Sequence, residues 1–148
     1  MRRYAFTLVE VLIVVVILAI LAGTVIPQFT SSSEDAKDSA ALYNLHTLRA
    51  QIELYKVQHN GTPPELDTGD LPQLTLATDV DGTTGQPGAS FPFGPYLTGG
   101  VPPNPLTGVA TVTTQATIPP AAASGTGGWL YHEPTGQIYI DHTDYLTY

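Results

Sequence analysis

Two hydrophobic patterns divide the chain. From Phe6 to Ile26 the residues are almost continuously apolar, and the single carboxylate among them is Glu10. An apolar run of about 18 residues or more is long enough, as a helix, to cross the hydrocarbon core of a bilayer. After Pro27 the pattern becomes amphipathic: Ala41, Leu45, Leu48, Ile52 and Tyr55 recur at helical spacing, while Glu34, Lys37, Asp38, Arg49, Glu53 and Lys56 mostly fall off that stripe. Pro27 lacks a backbone donor and crowds the preceding turn, so a kink or local opening is expected there. Thr30 to Asp35 reads either as a cap opening a fresh helix or as a solvated part of a continuous one. Asn60-Gly61 followed by Pro63-Pro64 supplies the stop. A helix from Phe6 to about His59 would be roughly 80 Å long at 1.5 Å per residue.

Beyond the helix the punctuation is dense, with 12 of the 13 prolines and 13 of the 14 glycines from Gly61 onward. Leu66 to Pro92 reads as loop with one short helical turn near Leu71–Leu76, and Val109 to Ile118 as a strand with its threonines toward water. The clearest β signal is Gly128 to Asp141. Trp129 and Tyr131 share one face, Ile138 and Ile140 share one face across the turn, and Glu133-Pro134-Thr135-Gly136 suits a type I turn between them. An antiparallel hairpin is expected to cover the helix stripe, with Trp129 in the core, because no other segment looks able to bury Leu45, Leu48 and Ile52. The fold class expected is α+β: one long N-terminal helix, its outer half amphipathic, with a small C-terminal antiparallel β-sheet packed on it. The divisions expected are 1–5, 6–26, 27–60 and a loop-rich globular region, 61–148.

Arg2 and Arg3 precede the apolar run and no Lys or Arg follows until Lys37. That asymmetry puts the amino end in the cytoplasm and the remaining chain across the membrane. A carboxylate within a span costs about 2.5–3.5 kcal/mol even on the mild insertion scales, so Glu10 marks a functional site and needs a cation or a proton. A secretory signal has a shorter apolar core and a small-x-small cleavage site. A twin-arginine signal fits the first residues poorly, and a plain anchor leaves Glu10 unexplained.

The stretch Ala5 to Glu10 resembles the amino-terminal signature of type IV pilins and the pseudopilins of type II secretion. In that family a basic leader and a Gly precede Phe-Thr-Leu-(Ile/Val)-Glu and a long apolar helix. The resemblance implies a leader of residues 1–5 and a prepilin peptidase that cuts between Ala5 and Phe6 and methylates the new amine on Phe6. It further implies Glu10 as the assembly carboxylate that pairs with that amine, and Pro27 as the helix proline. Ala5 departs from the pattern, where the family has Gly. Tyr55…Asn60-Gly61…Pro64 and Gly94-Pro95-Tyr96-Leu97 resemble pseudopilin segments, and with the absent C-terminal disulfide they favour a type II secretion pseudopilin. The function implied is a structural subunit of a filament built from copies of itself and other pilin-like subunits, at an inner-membrane assembly platform and in contact with membrane lipid. A type IV pilus subunit is the alternative within the family. A tethered periplasmic binding module, using Trp129, Tyr131, Tyr139 and Tyr145, is the alternative from another class.

Charge and composition narrow the chemistry. The net charge is −8, from 13 acidic and five basic residues. So few cations make a poor nucleic-acid surface, and no nucleic-acid partner is expected. The chain has no cysteine, so no disulfide can staple it. No Gly-x-Ser-x-Gly elbow or phosphate loop is present, and an enzyme is not expected. Major pseudopilins, as the family resemblance has it, are calcium-stabilised through an Asp-rich C-terminal loop whose Gly-Ala-Asp-Gly run is missing here. Asp79 with Asp81, and Asp141 with Asp144, are weak calcium candidates, since calcium takes 6–8 oxygen ligands and neither cluster offers a full set. His46, His59, His132 and His142 are scattered, whereas a zinc site needs three or four convergent ligands. No cofactor is expected.

Overall fold

The computed structural model describes residues 6–148, with the side chains of residues 26–31 outside that description. The leader expected at 1–5, with Ala5, lies outside the described residues, as does the bend expected at Pro27. The chain divides into two compact units, residues 1–37 and Asp38–Tyr148. One helix, α1 (Leu8–Gln58), runs through both. Helical hydrogen bonding continues across residues 30–35, so no fresh helix is capped there.

In the first unit, Phe6 to Val25 are all exposed. Leu8–Val25 is long and apolar enough to cross a membrane, by length and composition, and none of it is buried by the rest of the chain.

In the second unit, α1 ends where its sequence says it should. Asn60 takes a left-handed conformation (φ 56°), and Gly61 N donates to the Lys56 carbonyl at 2.8 Å, closing the last turn. Ala41, Leu45, Leu48, Ile52 and Tyr55 are all buried, as their spacing requires. They pack in one core with Trp129, Tyr131, Ile138 and Ile140.

The hairpin consists of β4 (Trp129–His132) and β5 (Gln137–Ile140), antiparallel with Trp129 opposite Ile140 and Tyr131 opposite Ile138. Its turn is framed one residue earlier than its Pro and Gly indicated. The His132 carbonyl accepts from Thr135 N at 3.2 Å and Gly136 N at 2.9 Å, and Gly136 sits at φ 74°. A Cβ on Gly136 would lie 3.0 Å from Pro63 and 3.2 Å from Ile52, a tight fit that adds to the strain a larger residue would meet at this positive φ. The turn is set by that approach as much as by Pro134.

Four expectations need correction. The sheet is mixed, because β3 (Val112–Thr114) pairs parallel to β4, giving the order β3-β4-β5. A parallel neighbour needs a crossover of about a dozen residues or more, and the connection 115–128 is long enough to make it without a helix. The strand is also shorter than the run Val109–Ile118, with Val112 buried and Thr114 exposed.

The segment Leu66–Pro92 holds more than loop. It contains α2 (Pro72–Thr75) at the expected place and a two-stranded antiparallel ribbon, β1 (Ala77–Thr78) with β2 (Thr84–Gly85). Nor does the hairpin cover the helix stripe alone. Leu71, Leu74, Leu97 and Val101 join the same core from segments with little periodicity.

Candidate functional site

At the amino end of α1, Thr7 and Glu10 form a reciprocal cap. Glu10 Oε2 accepts from Thr7 N at 3.3 Å and from Thr7 Oγ1 at 3.2 Å, while Glu10 N donates to Thr7 Oγ1 at 3.3 Å. The first N–H groups of a helix have no partner inside it, and this Thr-x-x-Glu arrangement satisfies two of them at once. Thr7 is the residue that the sequence reading passed over. Its signal was a Thr three residues before a Glu at the start of an apolar run. The carboxylate stands in the first turn, where the helix dipole also favours a negative charge. Phe6 is exposed beside it, so an amine carried on Phe6 and the Glu10 carboxylate lie at the same helix end.

The four aspartates proposed as calcium ligands do not converge. Asp79 Oδ1 caps a turn, accepting from Asp81 N at 3.0 Å and Thr83 N at 2.8 Å, and Asp81 is exposed. Asp144 is exposed and lies 3.6 Å from His142. Asp141 is buried, and its two oxygens take four donors: Ser124 N at 2.7 Å, Ser124 Oγ at 2.5 Å, Thr126 Oγ1 at 3.1 Å and Gly127 N at 2.8 Å. Burial pushes its carboxyl up, but these hydrogen bonds from Ser124, Gly127 and Thr126 outweigh it and hold the group below the ordinary aspartate value. Backbone N–H groups aimed at both oxygens stabilise the ionised carboxylate and fill the places a cation would take. This donor set does not fit calcium. Among the described residues no group of three or more His, Asp or Glu is placed to hold a metal ion.

The histidines are likewise separate. His46 is exposed. His59 is buried, stacked on Tyr55 with ring centroids 3.7 Å apart; its Nδ1 meets the Tyr55 carbonyl at 2.8 Å and its Nε2 the Thr78 hydroxyl at 2.9 Å. A carbonyl only accepts, so Nδ1 carries a proton. Burial raises the Tyr55 hydroxyl to about 12, with Tyr96, Glu65 and Asp79 adding to the shift. His132 bonds Thr135.

Of the four aromatics proposed as a binding platform, Trp129 and Tyr131 are fully buried and Tyr139 and Tyr145 half-buried. Trp129 Nε1 donates to the Pro102 carbonyl at 2.8 Å and Tyr131 Oη to the Pro64 carbonyl at 2.7 Å, so both polar ends are satisfied inside. These rings are core.

A long apolar helix opened by a Thr–Glu cap, with a small mixed sheet on the core face of its outer half, is an α+β, pilin-like arrangement. The family model described as the prokaryotic N-terminal methylation motif matches residues 1–26. The chain is similar to Type II secretion system core protein G of Pseudomonas aeruginosa, 40% identical over 62 residues that cover 42% of this chain and 44% of that protein. The same-named protein of Vibrio cholerae is 37% identical over 80 residues, 54% of each chain. Competence protein ComGC of Halalkalibacterium halodurans is 36% identical over 66 residues, 45% of this chain and 65% of that one. The chain spans about half the length of the core protein G relatives it matches. No solved structure matches significantly.

Proposed function

We propose that this chain is a structural subunit of a type II secretion pseudopilus. The observation that carries the reading is the wholly exposed apolar run Leu8–Val25, opened by the lone carboxylate Glu10 inside a methylation-motif match. Such a surface needs lipid or other helices around it. In the membrane the chain crosses once, amino end in the cytoplasm and Asp38–Tyr148 in the periplasm, following the Arg2–Arg3 asymmetry.

A prepilin peptidase cuts between Ala5 and Phe6 and methylates the amine. Glu10 then pairs with the Phe6 amine of its own or a neighbouring chain, which offsets the cost of holding either charge in an apolar filament core and fixes register between subunits. Its partners are further copies, other pilin-like subunits and an inner-membrane assembly platform. The role is structural, with no catalysis, and the second unit folds without a cation because Asp141 already has its donors. A type IV pilus subunit is the second reading, with the competence protein among the relatives matched.

Intact-mass measurement on membrane-extracted protein tests the proposal. Chains starting at a methylated Phe6, together with filaments in cells overproducing them, are expected. Chains that keep Met1 in cells with an active peptidase would overturn it.

A further inference from the structure

The C-terminal end of α1 forms one wall of a cavity of about 140 Å³, lined by Tyr55, His59, Glu65, Gln73 and Asp81. Tyr55 is 1% exposed, yet its hydroxyl has no hydrogen-bond partner among the described residues. No unpartnered side-chain oxygen or nitrogen there is fully sealed from solvent, so the accessible remnant of Tyr55 is this hydroxyl, open toward the cavity. Gly82 keeps it open. At φ 86° the position suits glycine, and a Cβ there would lie 2.7 Å from Tyr55 Oη.

Gln73 fixes the walls on either side: its Oε1 accepts from Glu65 N at 2.7 Å, and its Nε2 donates to the Gly82 carbonyl at 2.8 Å. His59 stacks on the Tyr55 ring with both ring nitrogens engaged, by the Tyr55 carbonyl and the Thr78 hydroxyl, so it offers the cavity no free nitrogen. Glu65 and Asp81 stand exposed at the rim, and neither carboxylate pairs with a cation among the described residues. Residues 61–148 carry eight carboxylates and neither Lys nor Arg, so that part of the chain cannot neutralise them from within. The end of α1 adds its negative pole, which also favours a positive charge.

Three requirements identify the occupant. It must be cationic, it must bring a donor to a buried hydroxyl that otherwise goes unpaired, and it must be small. The space is close to the roughly 150 Å³ that holds one benzene ring, enough for the end of one side chain. A metal ion finds too few ligands, since no group of three His, Asp or Glu converges among the described residues. A guanidinium brings five donors in a rigid fork, whereas an ammonium on a slim stem brings three, matching one hydroxyl and two carboxylates.

We propose that this cavity receives the ε-ammonium of a lysine presented by a partner protein. Tyr55 Oη accepts one of its hydrogens, and Glu65 and Asp81 supply the counter-charge.

Saturation-transfer NMR on Nα-acetyl-lysine methylamide, titrated into the full-length protein in detergent, tests this. The lysine probe should bind, and its norleucine counterpart, which lacks the ammonium, should not. Tyr55→Phe keeps the ring on His59 and removes only the hydroxyl. It should weaken the probe about tenfold, the loss of one hydrogen bond to a charged group. Its melting midpoint should hold or rise, because an unpaired polar atom has gone. Glu65→Gln combined with Asp81→Asn should weaken the probe as well. No binding of the lysine probe, equal binding of the norleucine or arginine counterpart, or unchanged affinity in Tyr55→Phe would overturn the proposal. A fall in the midpoint of Tyr55→Phe would overturn it too, by giving the hydroxyl a structural partner.

Discussion

Arg49 donates to the carbonyl oxygen of Ile138 twice, from Nε at 3.1 Å and from Nη2 at 3.0 Å. Ile138 lies on β5, the edge of the sheet farthest from β3, where outward carbonyls have no neighbouring strand. Two turns along α1, Lys56 Nζ reaches the Thr135 carbonyl at 3.3 Å and Glu53 at 2.7 Å. The only Arg and the only Lys of the second unit therefore tie the hairpin to the helix. Arg49 also donates to the Tyr148 carbonyl and lies 5.4 Å from the centre of the Tyr139 ring. Desolvation lowers its pKa, with Tyr139 acting the other way, and the group stays charged at any working pH.

Arg49→Ala should therefore destabilise the second unit by about 1.5–3 kcal/mol, the range for hydrogen bonds to a charged group. Arg49→Lys should recover only part, since one ammonium cannot reproduce a planar fork. Chemical denaturation of the two variants checks this, and equal stability of Arg49→Lys and the parent would show that charge alone suffices.

Trp129→Ala should be worse, by about 3–5 kcal/mol, because it leaves a cavity beneath the hairpin and strips the Pro102 carbonyl of its donor. Loss on that scale approaches the whole stability of a small domain. Thermal melting decides; an unchanged midpoint would place the indole on the surface.

Asp141 gives the fold an acid-sensitive point. Its folded pKa lies below the ordinary 3.8, so the unfolded chain takes up the proton first as pH falls. Its contribution is complete above that ordinary value and is lost as pH drops through the folded one. Asp141→Asn should lower stability at neutral pH by about 1.5–3 kcal/mol and flatten the acid limb of the stability curve. Adding calcium or a chelator should leave the parent's melting midpoint unmoved, since both carboxylate oxygens already hold protein donors. A chelator-induced drop would restore a cation to this loop.

Glu10→Gln separates two roles of one side chain. Glutamine can still cap Thr7, because Gln serves at the third position of such a cap as Glu does. Membrane insertion and the helix start should survive, while filament growth fails or slows for want of a counter-charge to the Phe6 amine. Breaking one partner of a buried pair costs about 3–5 kcal/mol, repeated at each added subunit. Co-expressed parent chains should partly rescue assembly. Filament imaging reads the outcome, and normal filaments from pure Glu10→Gln protein would leave capping as the carboxylate's whole task.

The apolar run of the helix, its buried stripe and its stop were legible because those signals are local. Continuous apolarity, the Ala41–Tyr55 stripe and the Asn60-Gly61 stop each act within a turn or two, and each stands where the sequence puts it. The β4–β5 hairpin was legible for the same reason, since alternation and a four-residue turn lie within one short segment.

Other features belong to tertiary structure, because they depend on residues far apart in sequence. Nothing local in Val112–Thr114 says that it pairs parallel with Trp129–Tyr131 across a long crossover. Nothing in the aperiodic segments around Leu71, Leu74, Leu97 and Val101 marks them as core, since irregular backbone carries no repeat to read. Asp141 reads in the sequence only as a weak calcium candidate; the fold brings Ser124, Thr126 and Gly127 against it. Tyr43, Leu54 and Val57 are apolar letters in the sequence; only the fold, by burying the opposite face of α1, leaves them together on the outside.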